Sequence, residues 1–218
     1  MAHHYQAIEA ACGGGFLSPP PARALRLSPP WTGSTAPAVD DELALTVRFA
    51  DGDGRAFEHL LAEFWRPVLT FSTRLLHDGE AADDVAQETF LRVWINRGDI
   101  QPDQLRAYIF RVARNLVVDE TRKRRVRERA TDSAGIAMTT PRPDQVVERD
   151  EQHEAIQHAV DALPPKRREA FILAYLHELT YKEVADVLGI SVSTVKNHVA
   201  AALLDLRRTL VAHAHPCA

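Results

Sequence analysis

The 218-residue sequence predicts an all-α protein: two helical domains joined by a flexible linker, the second containing a helix-turn-helix. Three observations carry this expectation. From Asp40 to about Leu210 apolar residues recur at three- and four-residue steps, the period of a helix face, and no stretch reads as a strand. Two segments break that pattern with proline and glycine, residues 1–38 and 130–146. Residues 179–206, LTYKEVADVLGISVSTVKNHVAAALLDL, run apolar, small, apolar, Gly, apolar, apolar in the order of two helices around a tight turn.

The elements follow in order. Residues 1–38 hold Gly13–Gly15, Pro19–Pro21, Pro29-Pro30 and Pro37 with few periodic apolar positions, the composition of a disordered extension. Residues 39–129 form the first domain. Asp40, Asp41 and Glu42 place negative charge at a helix start, where the helix dipole favours it. Leu43, Val47 and Phe49 then turn inward, and Asp51-Gly-Asp-Gly54 ends the helix. A long helix over 56–76 buries Phe57, Leu60, Leu61, Phe64, Val68 and Phe71, and Pro67 predicts a bend or break in it. In the helix 80–94, Ala82, Val85, Ala86, Thr89, Phe90 and Val93 make one apolar stripe. Asp84, Gln87, Glu88 and Leu91 occupy the opposite face, which reads either as a solvated side or as a docking surface with Leu91 as its anchor.

After a polar connection, the helix 105–129 buries Leu105, Tyr108, Ile109, Val112, Ala113 and Leu116. Arg111, Arg114, Asn115, Val118, Arg122 and Arg125 fall on a second stripe. The segment holds nine cations against three acids, next to an acidic stretch over 40–104. Such a local concentration of positive charge suits phosphates. The linker spans 130–146 and the second domain 147–212. The second domain opens with a helix ending at Pro164-Pro165, with Val147, Ala155, Ile156, Ala159, Val160 and Leu163 inward. A helix over 166–179 comes next, with Ala170, Phe171, Leu173, Ala174 and Leu176 inward. In the helix-turn-helix, Thr180 caps the first helix and Gly189 ends it in the left-handed conformation. Val184, Ala185 and Leu188 share its inner face, and Ile190 plugs the turn. Ser191 or Ser193 caps the second helix, which turns Val195, Val199 and Ala202 inward. Ser193, Thr194, Lys196, Asn197 and Ala200 face outward, and small hydroxyls, an amide and one cation suit base edges and phosphates in a major groove.

Composition narrows the function. The net charge of −4 carries no global nucleic-acid signature. Cys12 and Cys217 form no CxxC pair, which argues for a reducing cytoplasm without a metal site or disulfide framework. No run approaches the ~20 apolar residues of a membrane span. The scattered histidines have no ligand spacing, and neither a nucleophile motif nor a phosphate-binding Gly loop is present, so neither catalysis nor a cofactor is expected.

The order of parts DDVAQETFLRVW (83–94), LRAYIFRVARNLVVDETRKRR (105–125) and LPPKRREAFILAYLHELTYKEVADVLGISVSTVKNHV (163–199) resembles the extracytoplasmic-function sigma factors, the smallest class of the sigma-70 family of bacterial RNA polymerase subunits. The resemblance covers residues 40–210 and implies a cytoplasmic protein that directs core polymerase to promoters. It implies that Asp84, Gln87, Glu88 and Leu91 dock on the β′ clamp helices, with further contacts to the β subunit. It also implies that Arg111, Arg114, Asn115, Arg122 and Lys123 bind and open the −10 element, with Asn115 holding a flipped-out base. Ser193, Thr194, Lys196 and Asn197 would read the −35 element, and an anti-sigma factor is an expected partner. The alanine-rich recognition helix (Ala200–Ala202) departs from the several arginines of many members and looks more like the iron-citrate uptake branch. TVKNHV also resembles the DNA-binding domain of response regulators, but residues 1–150 lack the strands of their receiver domain.

Overall fold

The computed structural model describes residues 39–132 and 151–214. The expected N-terminal extension, and the expected linker beyond Asp132, lie outside the described residues, as do Val147 and the side chains of Leu43 and Ala155. Every element among the described residues is helical, and the chain divides into two compact units.

The first unit begins with α1 (Val39–Ala50), α2 (Gly54–Leu76) and α3 (Gly79–Ile95). Two 3-10 turns, Arg97–Asp99 and Pro102–Gln104, lead into α4 (Leu105–Asp132). Helices α2, α3 and α4 pack on one another. The caps are local chemistry: Asp53 accepts from the Arg55 N–H at 2.9 Å, and Asp78 accepts from the Ala81 N–H at 3.2 Å. All six residues of the expected α3 stripe are buried. Phe71 and Phe110 meet edge to face with centroids 5.7 Å apart, joining α2 to α4. Phe49, Phe57 and Trp94 form a second aromatic cluster that holds α1 against α2 and α3, with Arg97 over the Trp94 ring at 4.5 Å.

Three expectations are corrected here. Of the bend or break expected at Pro67, the break does not occur: helix α2 continues through it, with buried Phe64, Val68 and Phe71 holding it on both sides of the one missing hydrogen bond. Val47 is 46% exposed, and Thr46 takes the inner position three residues before Phe49. In α4 the buried line is Leu105, Ile109, Phe110, Ala113 and Val117, leaving Tyr108, Val112 and Leu116 half-buried. The two neighbouring helices cover an arc centred one residue away from the expected one.

In the second unit α5 (Glu151–Asp161), α6 (Pro165–Phe171) and α7 (Tyr181–Leu188) pack on α8 (Val192–Ala214). Pro165 opens α6 at its first turn, where no N–H is needed. The single helix expected over 166–179 is instead α6 continued by a π-helical turn, Ile172–Leu176, closed by the His177 N–H on the Ile172 carbonyl at 3.1 Å. The wider turn rotates the side chains along it, so Ile172 is buried while Ala174 and Leu176 are half-buried.

Candidate protein-docking and nucleic-acid surfaces

Helix α3 presents the first candidate surface. With about 100° between successive residues, Asp84, Gln87, Glu88 and Leu91 share one side, opposite the buried stripe. Asp84 and Gln87 are exposed and Leu91 is 57% exposed, while Glu88 is half-buried and accepts from Arg92 Nε at 2.7 Å. An apolar side chain left open beside carboxylates suits a partner that is both basic and apolar. A groove lined by Asp84, Glu88 and Arg92 of α3 and by Leu116, Asp119 and Lys123 of α4 borders this surface.

Helix α4 presents the second. Arg111, Asn115 and Arg122 are exposed and lie on one stripe with Val118 and Arg125. Arg111 lies over the Tyr108 ring at 5.1 Å, which orients its guanidinium along the helix. Two expected members stand aside. Arg114 is half-buried at the margin of the stripe, about 60° from its centre, and Lys123 turns toward the α3 groove, 3.6 Å from Glu120. The remaining cations divide: Arg124 pairs with Glu128 at 3.0 Å and Arg127 with Glu120 at 3.2 Å. Intrahelical pairing therefore holds one side of α4, whereas Arg122 and Arg125 extend into solvent.

The third surface belongs to the helix-turn-helix. Thr180 Oγ1 accepts from the Glu183 N–H at 3.3 Å, and Glu183 Oε2 accepts from the Thr180 N–H at 2.7 Å. This capping box was legible in the T-x-x-E spacing. Gly189 has φ 66°, and both its N–H and that of Ile190 bond the Ala185 carbonyl. Val195, Val199 and Ala202 are buried as expected, joined by Leu206. Leu188 and Ile190 are half-buried, and Val187 takes the inner place beside Val184 and Ala185. Ser191 is the cap of α8, accepting from the Thr194 N–H at 3.1 Å, and its hydroxyl lies 2.8 Å from those of both Ser193 and Thr194. Ser193, Lys196, Asn197 and Ala200 are exposed on one side. Thr194 is half-buried, with its hydroxyl drawn into the cap. Tyr181, at the start of α7, is half-buried, and burial pushes its phenol above the ordinary value despite a hydrogen bond from Tyr175.

Comparison with known proteins finds relatives for both units. Residues 60–127 match the family model described as sigma-70 region 2, and residues 153–206 match sigma-70 region 4. The ferric citrate uptake sigma factor FecI of Escherichia coli is 34% identical over 67% of this chain and 86% of its own. The ECF RNA polymerase sigma factor SigC of Mycobacterium tuberculosis is also 34% identical, over 84% of this chain and 97% of its own. A solved structure of CnrH with the cytosolic domain of CnrY superimposes with a TM-score of 0.60 at 25% identity, covering 78% of this chain and 97% of that one.

Proposed function

The chain belongs to the extracytoplasmic-function group of the sigma-70 family, and we propose that its three exposed surfaces divide the work of promoter recognition among them. It is an RNA polymerase sigma factor that recognises promoters for transcription initiation. Residues 39–129 act as the polymerase-binding and −10 domain, and residues 147–212 as the −35 domain. Asp84, Gln87, Glu88 and Leu91 dock on the β′ clamp helices. Arg111, Asn115 and Arg122 hold the −10 strand, with Arg114 and Lys123 at its margins. Ser193, Lys196 and Asn197 enter the −35 major groove, with Thr194 bracing them through the cap.

The observation that supports this division most is Leu91, an apolar side chain left 57% exposed beside carboxylates on the face opposite the helix's buried stripe. The protein works without chemistry of its own, as sigma factors generally do, so binding free energy alone offsets the few kcal/mol that extracting a base requires. No single helix among the described residues is long and apolar enough to cross a membrane, and we place the protein in the cytoplasm. CnrH is bound by the cytosolic domain of another protein, and an anti-sigma factor covering the same faces belongs to the proposal.

The test adds the purified chain to core polymerase and a promoter library. Wild type should support promoter-dependent transcripts. Leu91→Glu should keep its helicity and lose core binding at least tenfold, since it places a charge in an apolar contact. Full core binding by a folded Leu91→Glu chain would remove this face.

A further inference from the structure

Ile95, the last residue of α3, is 72% exposed, more than any other large apolar side chain among the described residues. Single exposed aliphatics are ordinary on a protein surface. This one is four residues beyond Leu91, which puts the two side chains on adjacent turns of one face. That face is the stripe of Asp84, Gln87 and Glu88. Its N-terminal half is therefore acidic and amide-bearing, and its C-terminal half is aliphatic. Trp94, beside Ile95, turns the other way into the cluster with Phe49, Phe57 and Arg97. That cluster, and the Asn96 N–H bond to the Arg92 carbonyl at 3.0 Å, fix the helix end and so the direction of Ile95.

We propose that Ile95 is a second apolar anchor for core polymerase, extending the docking face one turn beyond Leu91. The proposal rests on the docking assignment made above and names the partner feature that this end of the face meets: an apolar patch on the polymerase helices, adjoining the basic residues that face Asp84 and Glu88. Continuity with Leu91 argues for this occupant. A contact made by the carboxylates and Leu91 brings a helix alongside α3, and the next turn of α3 then lies against it.

The experiment measures the affinity of the full chain for core polymerase without DNA. Ile95→Ser should weaken binding roughly tenfold, the scale expected for burying most of an isoleucine side chain. Ile95→Leu should bind nearly as wild type. Val126→Ser, which removes another exposed aliphatic on α4, should change nothing. An Ile95→Cys chain should react rapidly with a thiol reagent at that position, mapped by mass spectrometry, and slowly once core polymerase is added. Unchanged affinity of Ile95→Ser, beside failure of Leu91→Glu, would overturn the extension and leave the docking face intact. Full binding by both variants would overturn both. Equal weakening by Val126→Ser, or slow labelling of the Ile95→Cys chain before polymerase is added, would also overturn it. The second result would mean that another part of the chain, or a second copy, already covers the site.

Discussion

Helices α4 and α8 both carry exposed polar faces proposed for DNA, yet they are built on opposite plans. In α4, nine cations stand against three acids between Leu105 and Arg129. In α8, Lys196, Arg207 and Arg208 are the only cations between Val192 and Leu210, and the one acid, Asp205, is taken up by Arg167 of α6 at 2.6 Å. The α4 stripe is long, charged and only partly committed to pairs within the helix. The α8 face is short, alanine-bearing and held by a hydroxyl cap. A strand pulled from its partner must be gripped along its backbone, which calls for charge. An intact major groove admits a whole helix, and there the base edges, reached by side chains of matching hydrogen-bond chemistry, carry the information.

The sharpest way to break the comparison is to attack the buried side of α8. Val199 is 1% exposed, so Val199→Asp buries an unpaired charge and should unfold the second unit, a loss of several kcal/mol. Asn197→Ala, two residues away but exposed, should leave stability within about 0.5 kcal/mol. Thermal melts of the two variants decide whether the faces are as separate as they look.

Asn115→Ala comes next. It should leave closed-complex affinity nearly intact and cut open-complex formation by about ten- to a hundredfold, given a few kcal/mol for extracting a base. A template pre-melted at −10 should recover most of the loss. Permanganate reactivity of −10 thymines on both templates measures this, and equal opening by wild type and mutant would make Asn115 a plain surface amide.

On α8 the expected effects differ in kind. Asn197→Ala should relax the choice of −35 base by ~1–3 kcal/mol. Lys196→Ala should weaken all sequences alike and lower the salt slope by about one unit. Selecting a promoter library at two salt concentrations separates the two outcomes.

The smallest effect concerns neither helix but the cap that sets α2. Hydrogen bonds from the Arg48 guanidinium (2.8 and 2.5 Å), and then from the Arg55 N–H, hold the Asp53 carboxyl below the ordinary carboxylate range. A carboxyl lowered in the folded state contributes stability that is present above its unfolded value and lost as pH falls through the folded one. Asp53→Asn keeps a cap acceptor but loses the charge, so it should lower Tm slightly at neutral pH, approach wild type in acid, and flatten the Tm–pH curve below about pH 4.

Local chemistry made much of this protein legible. Thr180, Gly189 and the glycine-bearing turn after Ala50 act through their own backbone neighbours, and the α3 stripe needs only helical spacing to be read. The family motifs are legible for the same reason, since short helical words carry them. Packing decided the rest. Two neighbours on α4 chose Phe110 and Val117 over Val112 and Leu116, and so left Arg114 half-buried and Lys123 against the α3 groove. The π turn at Ile172–Leu176 shifted the inner face by a fraction of a turn, which no apolar periodicity announces. Ser191 rather than Ser193 became the cap and drew in Thr194, a choice between two suitable hydroxyls that the path of the turn makes. The sequence alone determined which helices form and which chemistry each can present. Only the tertiary structure decided which side chains remain free to present it, because a helix turns about 100° per residue and a neighbour's position resolves one residue from the next.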